Sequence, residues 1–464
     1  MSQPLDRTQP PAPGPLRSFE FPPVPEDSLE NGLALRIVRL DRLPLVSTTL
    51  VLDAGEALLP ASRSGMAQLT GRALQGGTAR RSGEALAEAL EHLGVELGVA
   101  TGWDATAISL TCHADRLADA LAIVSEIVLT PSFPEPEIDR VRGQRLASLR
   151  QRRMSPAALA EDLAGYLVYP RGHPYARPAA GVAEAVSGFD RAAARDWHAE
   201  RYRPEGAGLV VVGDVDPDEV GQLATASFGD WTGAVAQSAA EDPQPSGEPG
   251  VRMVVAHRPG AVQSELRIGT VGVGRRHPDF FALQILNTIL GGAFTSRLNL
   301  NLRERNGFTY GVRSRFSFRR GAGPFTISTA VGTDVTVDAV RESLGELDLL
   351  LAEGPREEEV SAARDFLAGI FPLQMETSDR IASQITRLIL YGLPSDHLST
   401  YRDRIRGVSL GDAWDAGRRI LGNAAFTVLV VGDADEIAPG LETLGHGPVE
   451  VLSDDSLPPF YPNS

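Results

Sequence analysis

Residues 281–312 read FALQILNTILGGAFTSRLNLNLRERNGFTYGV, and the rest of the chain is understood from this stretch. The apolar run Phe281 to Leu290 reads as a helix that stops at Gly291-Gly292, since glycine supplies the left-handed residue on which helices end. A second short helix is expected to end at Asn306-Gly307, and Tyr310 to open the strand after the turn. Arg303 falls in the last turn of that helix, seven positions before Tyr310. A helix end, a turn and a strand start can aim a guanidinium and a phenol at one point, where both donate hydrogen bonds to a carbonyl oxygen that is gaining charge. Taken singly, Arg303 reads as an exposed helix charge and Tyr310 as a half-buried strand aromatic.

The run SRLNLNLRERNGFTYGV (296–312) resembles the second-domain signature of the pitrilysin/insulinase zinc peptidases, in the branch of the mitochondrial processing peptidase and its bacterial relatives. It joins the glycine pair, Ser296-Arg297-Leu298, Leu302-Arg303-Glu304 and Gly307-x-x-Tyr310 in order, and the likeness runs from about residue 25 to about residue 452. The resemblance implies that Arg303 and Tyr310 bind a substrate carbonyl beside a zinc ion. It also implies that two α/β sandwich domains form one half of a clam shell.

Catalytic members of that family carry His-x-x-Glu-His on the first apolar helix, two His for the metal and a Glu to activate its water. Here the framing residues survive as GMAQLTGRALQGGT (65–78), and the chemical ones do not. Gln68 stands at the first His, Gly71 at the Glu and Arg72 at the second His; Arg72 is a fixed cation that repels a divalent metal. The third ligand falls near Ser148-Leu149, where RLASLRQRR offers no carboxylate. Glu88-Ala-Leu-Glu91-His92, the nearest look-alike, reads as a solvated face. None of the eight histidines stands three or four from another, so the expectation is that this chain alone holds no catalytic zinc.

Composition narrows the classes further. A net charge of −16 argues against nucleic acid and anionic membranes, both of which call for basic patches. The sequence contains no lysine, which excludes Schiff-base and P-loop lysine chemistry. Cys112, the sole cysteine, excludes an internal disulfide and sits in what reads as a buried strand. No run approaches the roughly 18 apolar residues of a membrane span, and residues 1–24 form a Pro-rich extension without the pattern of a secretory signal. If Met1 is the true start, a cytoplasmic protein is expected.

The body divides into two alike halves of α+β class. LVVVGD (209–214) closes the first and VLVVGD (428–433) the second, 433 − 214 = 219 residues later. Apolar helices before Gly76-Gly77 and Gly291-Gly292 repeat at nearly the same interval, which points to duplicated domains. The expected division is a first peptidase-like domain over 25–233, a Pro/Gly-rich linker over 234–250, a second domain over 251–452 and a tail over 453–464. Expected strands in the first half are Ala34–Leu40, Val46–Leu52, Val95–Thr101 and Thr106–Cys112. Val95–Thr101 corresponds to the edge strand to which the resembled family adds substrate.

Half of an active site is thus erased and the other half kept. Split members of the family divide the labour between two chains, one supplying zinc and the other Arg and Tyr. The expectation is a non-zinc subunit of a heterodimeric metallopeptidase acting on unfolded peptides, with zinc in a homologous partner. The alternatives are a catalytically inactive scaffold of the same fold, and a substrate-binding subunit that contributes little chemistry.

Overall fold

The computed structural model describes Gly14, residues 19–234 and residues 249–462. Two six-stranded mixed sheets organise it. The first contains β1 (Asp27–Ser28), β2 (Ala34–Arg39), β3 (Leu45–Leu52), β4 (Gly98–Thr101), β5 (Thr106–His113) and β6 (Gly208–Gly213), in the order β1-β2-β6-β3-β5-β4. The second contains β7 (Gly250–His257), β8 (Gln263–Val271), β9 (Val312–Phe316), β10 (Pro324–Gly332), β11 (Ala425–Gly432) and β12 (Val449–Leu452), in the order β12-β7-β11-β8-β10-β9. Five strands occupy matching places, with β2 and β6 parallel as β7 and β11 are, and β4 and β9 both left at an open edge. The repeat read from the two Gly-Asp endings is therefore a repeat of topology.

Five helices of the first half recur below: α1 (Met66–Ala73), α2 (Gly83–His92), α3 (Leu117–Leu129), α4 (Glu135–Met154) and α5 (Pro156–Val168). Strand parity explains why β6 and β11 are apolar without interruption. Leu209 and Val211 face the core of their own half, whereas Val210 and Val212 face Ile381, Ala382 and Ile385 of the helix Ser378–Tyr391, which comes from the second half. In the second sheet Val428 and Val430 face their own core, and Leu429 and Val431 join Leu159, Leu163 and Leu167 of α5, from the first half. Strands covered on both faces lose the polar alternation of half-exposed ones. Each half lends the other a helix. Close approach marks both contacts, since a Cβ at Gly208 would lie 2.6 Å from Ile389 and one at Gly269 would lie 3.3 Å from Val168.

Several boundaries differ from the sequence expectations. The helix Phe280–Asn287 does not stop at the glycine pair but widens into a π-helical turn, Thr288–Gly292. Gly291 is required there because a Cβ would lie 2.5 Å from the amide nitrogen of Ser314 in β9. The second short helix, Asn299–Arg305, is also π-helical, and Gly307 follows it at φ +66°. Tyr310 precedes β9 by two residues rather than opening the strand. The edge strand expected from Val95 begins only at Gly98. Five α-helices were not anticipated: Ala183–Ser187, Pro217–Phe228, His397–Gly407, Leu410–Leu421 and Ala434–Glu442.

The expected linker lies almost wholly outside the described residues. Of the N-terminal extension, Phe21 and Val24 are buried beside Phe371 and Ile381. From the tail, Phe460 and Tyr461 return to the first core, where Phe460 O accepts the Ala183 N–H. Cys112 is buried in β5, as its context suggests. Among the described residues no helix is long and apolar enough to cross a membrane.

Candidate functional site

A cavity of about 1100 Å³ opens between the halves. Gln68 of α1, Arg145 and Arg152 of α4, and Asp162 of α5 line it from the first half. The glycine turn 291–292, Arg303, Tyr310 and β9 line it from the second. The residues singled out from sequence on α1 and after Gly292 therefore share one space, apart from Gly71 and Arg72, which do not line it.

On α1 the helix start is built from outside. Its N-cap, Gly65, has φ +90° and no side chain, so Glu56 supplies the acceptor, taking the N–H groups of Gly65 and Gln68 at 3.0 Å each. Burial pushes the Glu56 carboxyl up to about 7, against the opposing pull of those N–H groups and of Arg177 and Arg145. Arg177 donates to the carbonyl oxygens of Glu56 and Leu59.

Zinc does not fit this helix. Gln68 and Arg72 offer no imidazole or carboxylate, and the remaining motif position is closed sterically as well as chemically. Gly71 is buried with β4 pressed against it, and a Cβ there would lie 2.7 Å from Thr101 Oγ1. Thr101 is held by a 2.9 Å hydrogen bond to Thr106, which in turn donates to the Ala54 carbonyl at 2.8 Å. Facing α1, α4 presents Arg145, one turn before Leu149, where the resembled family has its third ligand. Among the described residues the one candidate group for a metal is His257, Asp433 and Asp435, but His257 and Asp433 are occupied as caps. His257 accepts the Ala434 N–H, while Asp433 accepts those of Gly260 and Asp435.

The second half of the site is ordered by its own backbone. Asn299 ties the π-helical segment to β9, donating to Val312 O at 2.8 Å and accepting the Val312 N–H at 3.2 Å. Thr309 and Gly311 close a tight loop through reciprocal bonds of 3.1 and 3.2 Å, and Thr329 donates to Gly311 O at 3.0 Å. At the tip of that loop Tyr310 is fully exposed, at 101 %. Arg303 lies over the Phe294 ring with 3.5 Å from guanidinium carbon to centroid, and its Nε donates to Glu304 at 3.0 Å. The plain readings are thus reversed: the arginine is half-buried and the tyrosine stands in the open.

Two further histidines have structural partners. His173 accepts the Tyr175 N–H at 3.1 Å and stacks on Tyr169, and His198 bonds the Val128 carbonyl at 2.7 Å. Glu88, Glu91 and His92 are exposed on α2. Sequence reading missed the arginines that converge on the cavity. Arg313 and Arg315 project from the exposed side of β9, whose burial alternates strictly, and Arg319 lies over Trp103 and Tyr175 at 4.6 and 4.3 Å. The alternation V-R-S-R-F was the available signal.

Comparison with known proteins agrees with this architecture. Residues 41–166 match the insulinase (peptidase family M16) domain, and residues 188–367 match the domain described as the peptidase M16 inactive domain. The chain belongs to the insulinase/pitrilysin family, M16. Among M16 relatives it is 27% identical to an uncharacterized zinc protease of Mycobacterium leprae, over 78% of this chain and 81% of that protein. An uncharacterized zinc protease of Bacillus subtilis is 22% identical over 65% and 72%. The crystal structure of a peptidase M16 inactive domain from Pseudomonas fluorescens superposes with a TM-score of 0.82 at 26% identity, covering 88% of this chain and 98% of that one. A protease from Helicobacter pylori shares the fold at a TM-score of 0.80 and 19% identity, over 88% and 100%.

Proposed function

We propose that this M16 chain is the non-zinc subunit of a heterodimeric metallopeptidase. It completes a site whose metal belongs to a homologous partner bearing His-x-x-Glu-His, and its substrates are unfolded peptides. The observation that carries the reading is the asymmetry of the cavity. On α1 the motif positions hold no ligand and Gly71 has no room for one, while Arg303 and Tyr310 are held by a dedicated framework with Tyr310 presented outward. In this role Arg303 and Tyr310 donate hydrogen bonds to the scissile carbonyl oxygen as negative charge develops on it. Such donors act most strongly in the transition state, and losing one typically costs a factor of about 100 to 1000 in turnover.

Reconstitution tests the proposal. The chain alone is expected to retain no stoichiometric zinc after dialysis and to cleave nothing. Mixed with a similar-sized homologue carrying the intact motif, it is expected to form a pair that cleaves unstructured peptides. Arg303→Ala or Tyr310→Phe should lower turnover of that pair while leaving its assembly intact by gel filtration. Wild-type turnover in both variants transfers support to the inactive-scaffold reading.

A further inference from the structure

The chain carries a net charge of −16, yet seven arginines line the cavity against two carboxylates. One of those carboxylates, Asp162, is already engaged by Arg152 and by the Tyr461 hydroxyl. Arg152, Arg177 and Arg303 are engaged by Asp162, by backbone carbonyls and by Glu304, whereas the guanidinium groups of Arg145, Arg313, Arg315 and Arg319 have no hydrogen bond or ion pair among the described residues. Arg145 is only 9% exposed, and among the described residues it has no hydrogen bond or ion pair. Glu56 is close enough to be felt by it but is taken up by the N–H groups capping α1. Arg319 has one buried nitrogen without a partner and rests on aromatic faces, with Asp104 and Glu161 acting on it without a hydrogen bond. Arg313 and Arg315, at alternate positions on the open edge strand β9, form no ion pair among the described residues.

Leaving a charged group buried without a counter-charge costs several kcal/mol, and arginine does not escape by losing its proton near neutral pH. Burial and the neighbouring Arg72 lower the Arg145 guanidinium only to about 10, so it remains a cation. An unpaired, preordered guanidinium fork matches a carboxylate bidentately. The Gln68 amide lines the same cavity and adds an uncharged donor.

We propose that this cavity receives a carboxylate-bearing peptide, with one carboxylate held by Arg145 and Gln68 where the metal motif has been lost, and further acidic residues met by Arg313 and Arg315. The proposal rests on the function above in treating the bound peptide as a substrate. The spacing of the β9 arginines, two residues apart on one side of a strand, suits an extended peptide with acidic side chains at alternate positions.

The test is fluorescence anisotropy on the full chain without a partner. The probes are labelled short peptides with Glu at alternate positions, their Gln counterparts, and each with a free or amidated C-terminus. The Glu peptide is expected to bind roughly ten- to a hundredfold more tightly than the Gln peptide, with the margin shrinking as salt rises. Amidation that weakens both peptides alike while the Glu preference persists assigns one carboxylate to the chain end, and amidation without effect assigns every recognised carboxylate to side chains. Arg145→Met should remove most of the preference. The exposed pair Arg313→Gln and Arg315→Gln, where folding is not at stake, should weaken it independently. Equal affinity for Glu and Gln peptides overturns the inference, as does equal displacement by a single-stranded oligonucleotide of the same charge. A mixed pair that cleaves both peptides alike removes the inference and keeps the proposed function. Selective binding by the chain together with an inactive pair does the reverse.

Discussion

Replacing Gly71 by alanine sets two magnitudes against each other. Alanine in a helix interior is worth about 1 kcal/mol more than glycine. Against this, the new Cβ would lie 2.7 Å from Thr101 Oγ1 and 3.4 Å from a methyl of Val99, both on β4. Thr101 is β-branched and tied to Thr106, so it has no free rotamer into which to retreat. Overpacking of this kind typically costs about 1–3 kcal/mol. Gly71→Ala is therefore expected to lower stability by about 1 kcal/mol despite its gain in helix propensity. Thr101→Ala alone loses the Thr101–Thr106 hydrogen bond, about 1 kcal/mol, while Thr106 keeps its bond to the Ala54 carbonyl. In the double variant the contact is gone and the propensity gain returns, so the two changes should couple favourably by about 2 kcal/mol. Urea denaturation of the four proteins, followed by circular dichroism, closes the cycle. Coupling below about 0.5 kcal/mol, the range in which independent sites add, would refute the idea that β4 closes the motif position.

Three further outcomes follow from the same geometry. Rebuilding the motif as Gln68→His, Gly71→Glu and Arg72→His is expected to yield no stoichiometric zinc after dialysis, measured by elemental analysis, because the Glu has no space and Arg145 remains opposite. Glu56 has its pKa raised from 4.5 to about 7 by burial, so the folded state binds its proton more readily than the unfolded chain. Stability should accordingly fall as pH rises from about 4.5 to 7, by up to about 3 kcal/mol, and Glu56→Gln should flatten that part of the stability–pH curve. Asp104, whose buried carboxyl accepts from the Arg320 N–H at 3.0 Å and from the Tyr175 and Tyr391 hydroxyls at 3.3 Å, joins the halves. Asp104→Ala should cost about 2–4 kcal/mol in urea denaturation, and Asp104→Asn less.

The duplication was legible because burial on both faces left β6 and β11 as unbroken apolar runs ending alike. Family membership was legible in 296–312, since that signal is local. What covers those two strands was not. The residues under Val210 lie in 378–391 and those under Leu429 in 156–168, pairings that no local periodicity encodes. The glycine pair at 291–292 misled for a related reason, because what requires Gly291 is the approach of Ser314 rather than a helix end. The arginine lining escaped for want of spacing: Arg145 and Arg313 are 168 positions apart (313 − 145), and only the closed fold gives them a common space. Tyr310 shows the limit at single-residue scale, since a loop closed by Thr309 and Gly311 reads in sequence as a strand start.

The exchange of helices between the halves bears on how the protein is made. When residues 1–233 have left the ribosome, α5 lacks the second sheet on which it lies, and Val210 and Val212 lack the helix Ser378–Tyr391 that covers them. Domains that fold one after another during synthesis bury each core before the next appears. Here that sequence is interrupted: the nascent first half waits, with apolar surface in water, until residues 378–391 emerge and cover it. Chaperone dependence would then track the time taken to translate the second half, and synonymous changes that slow that translation would lower the yield of native protein without altering one side chain.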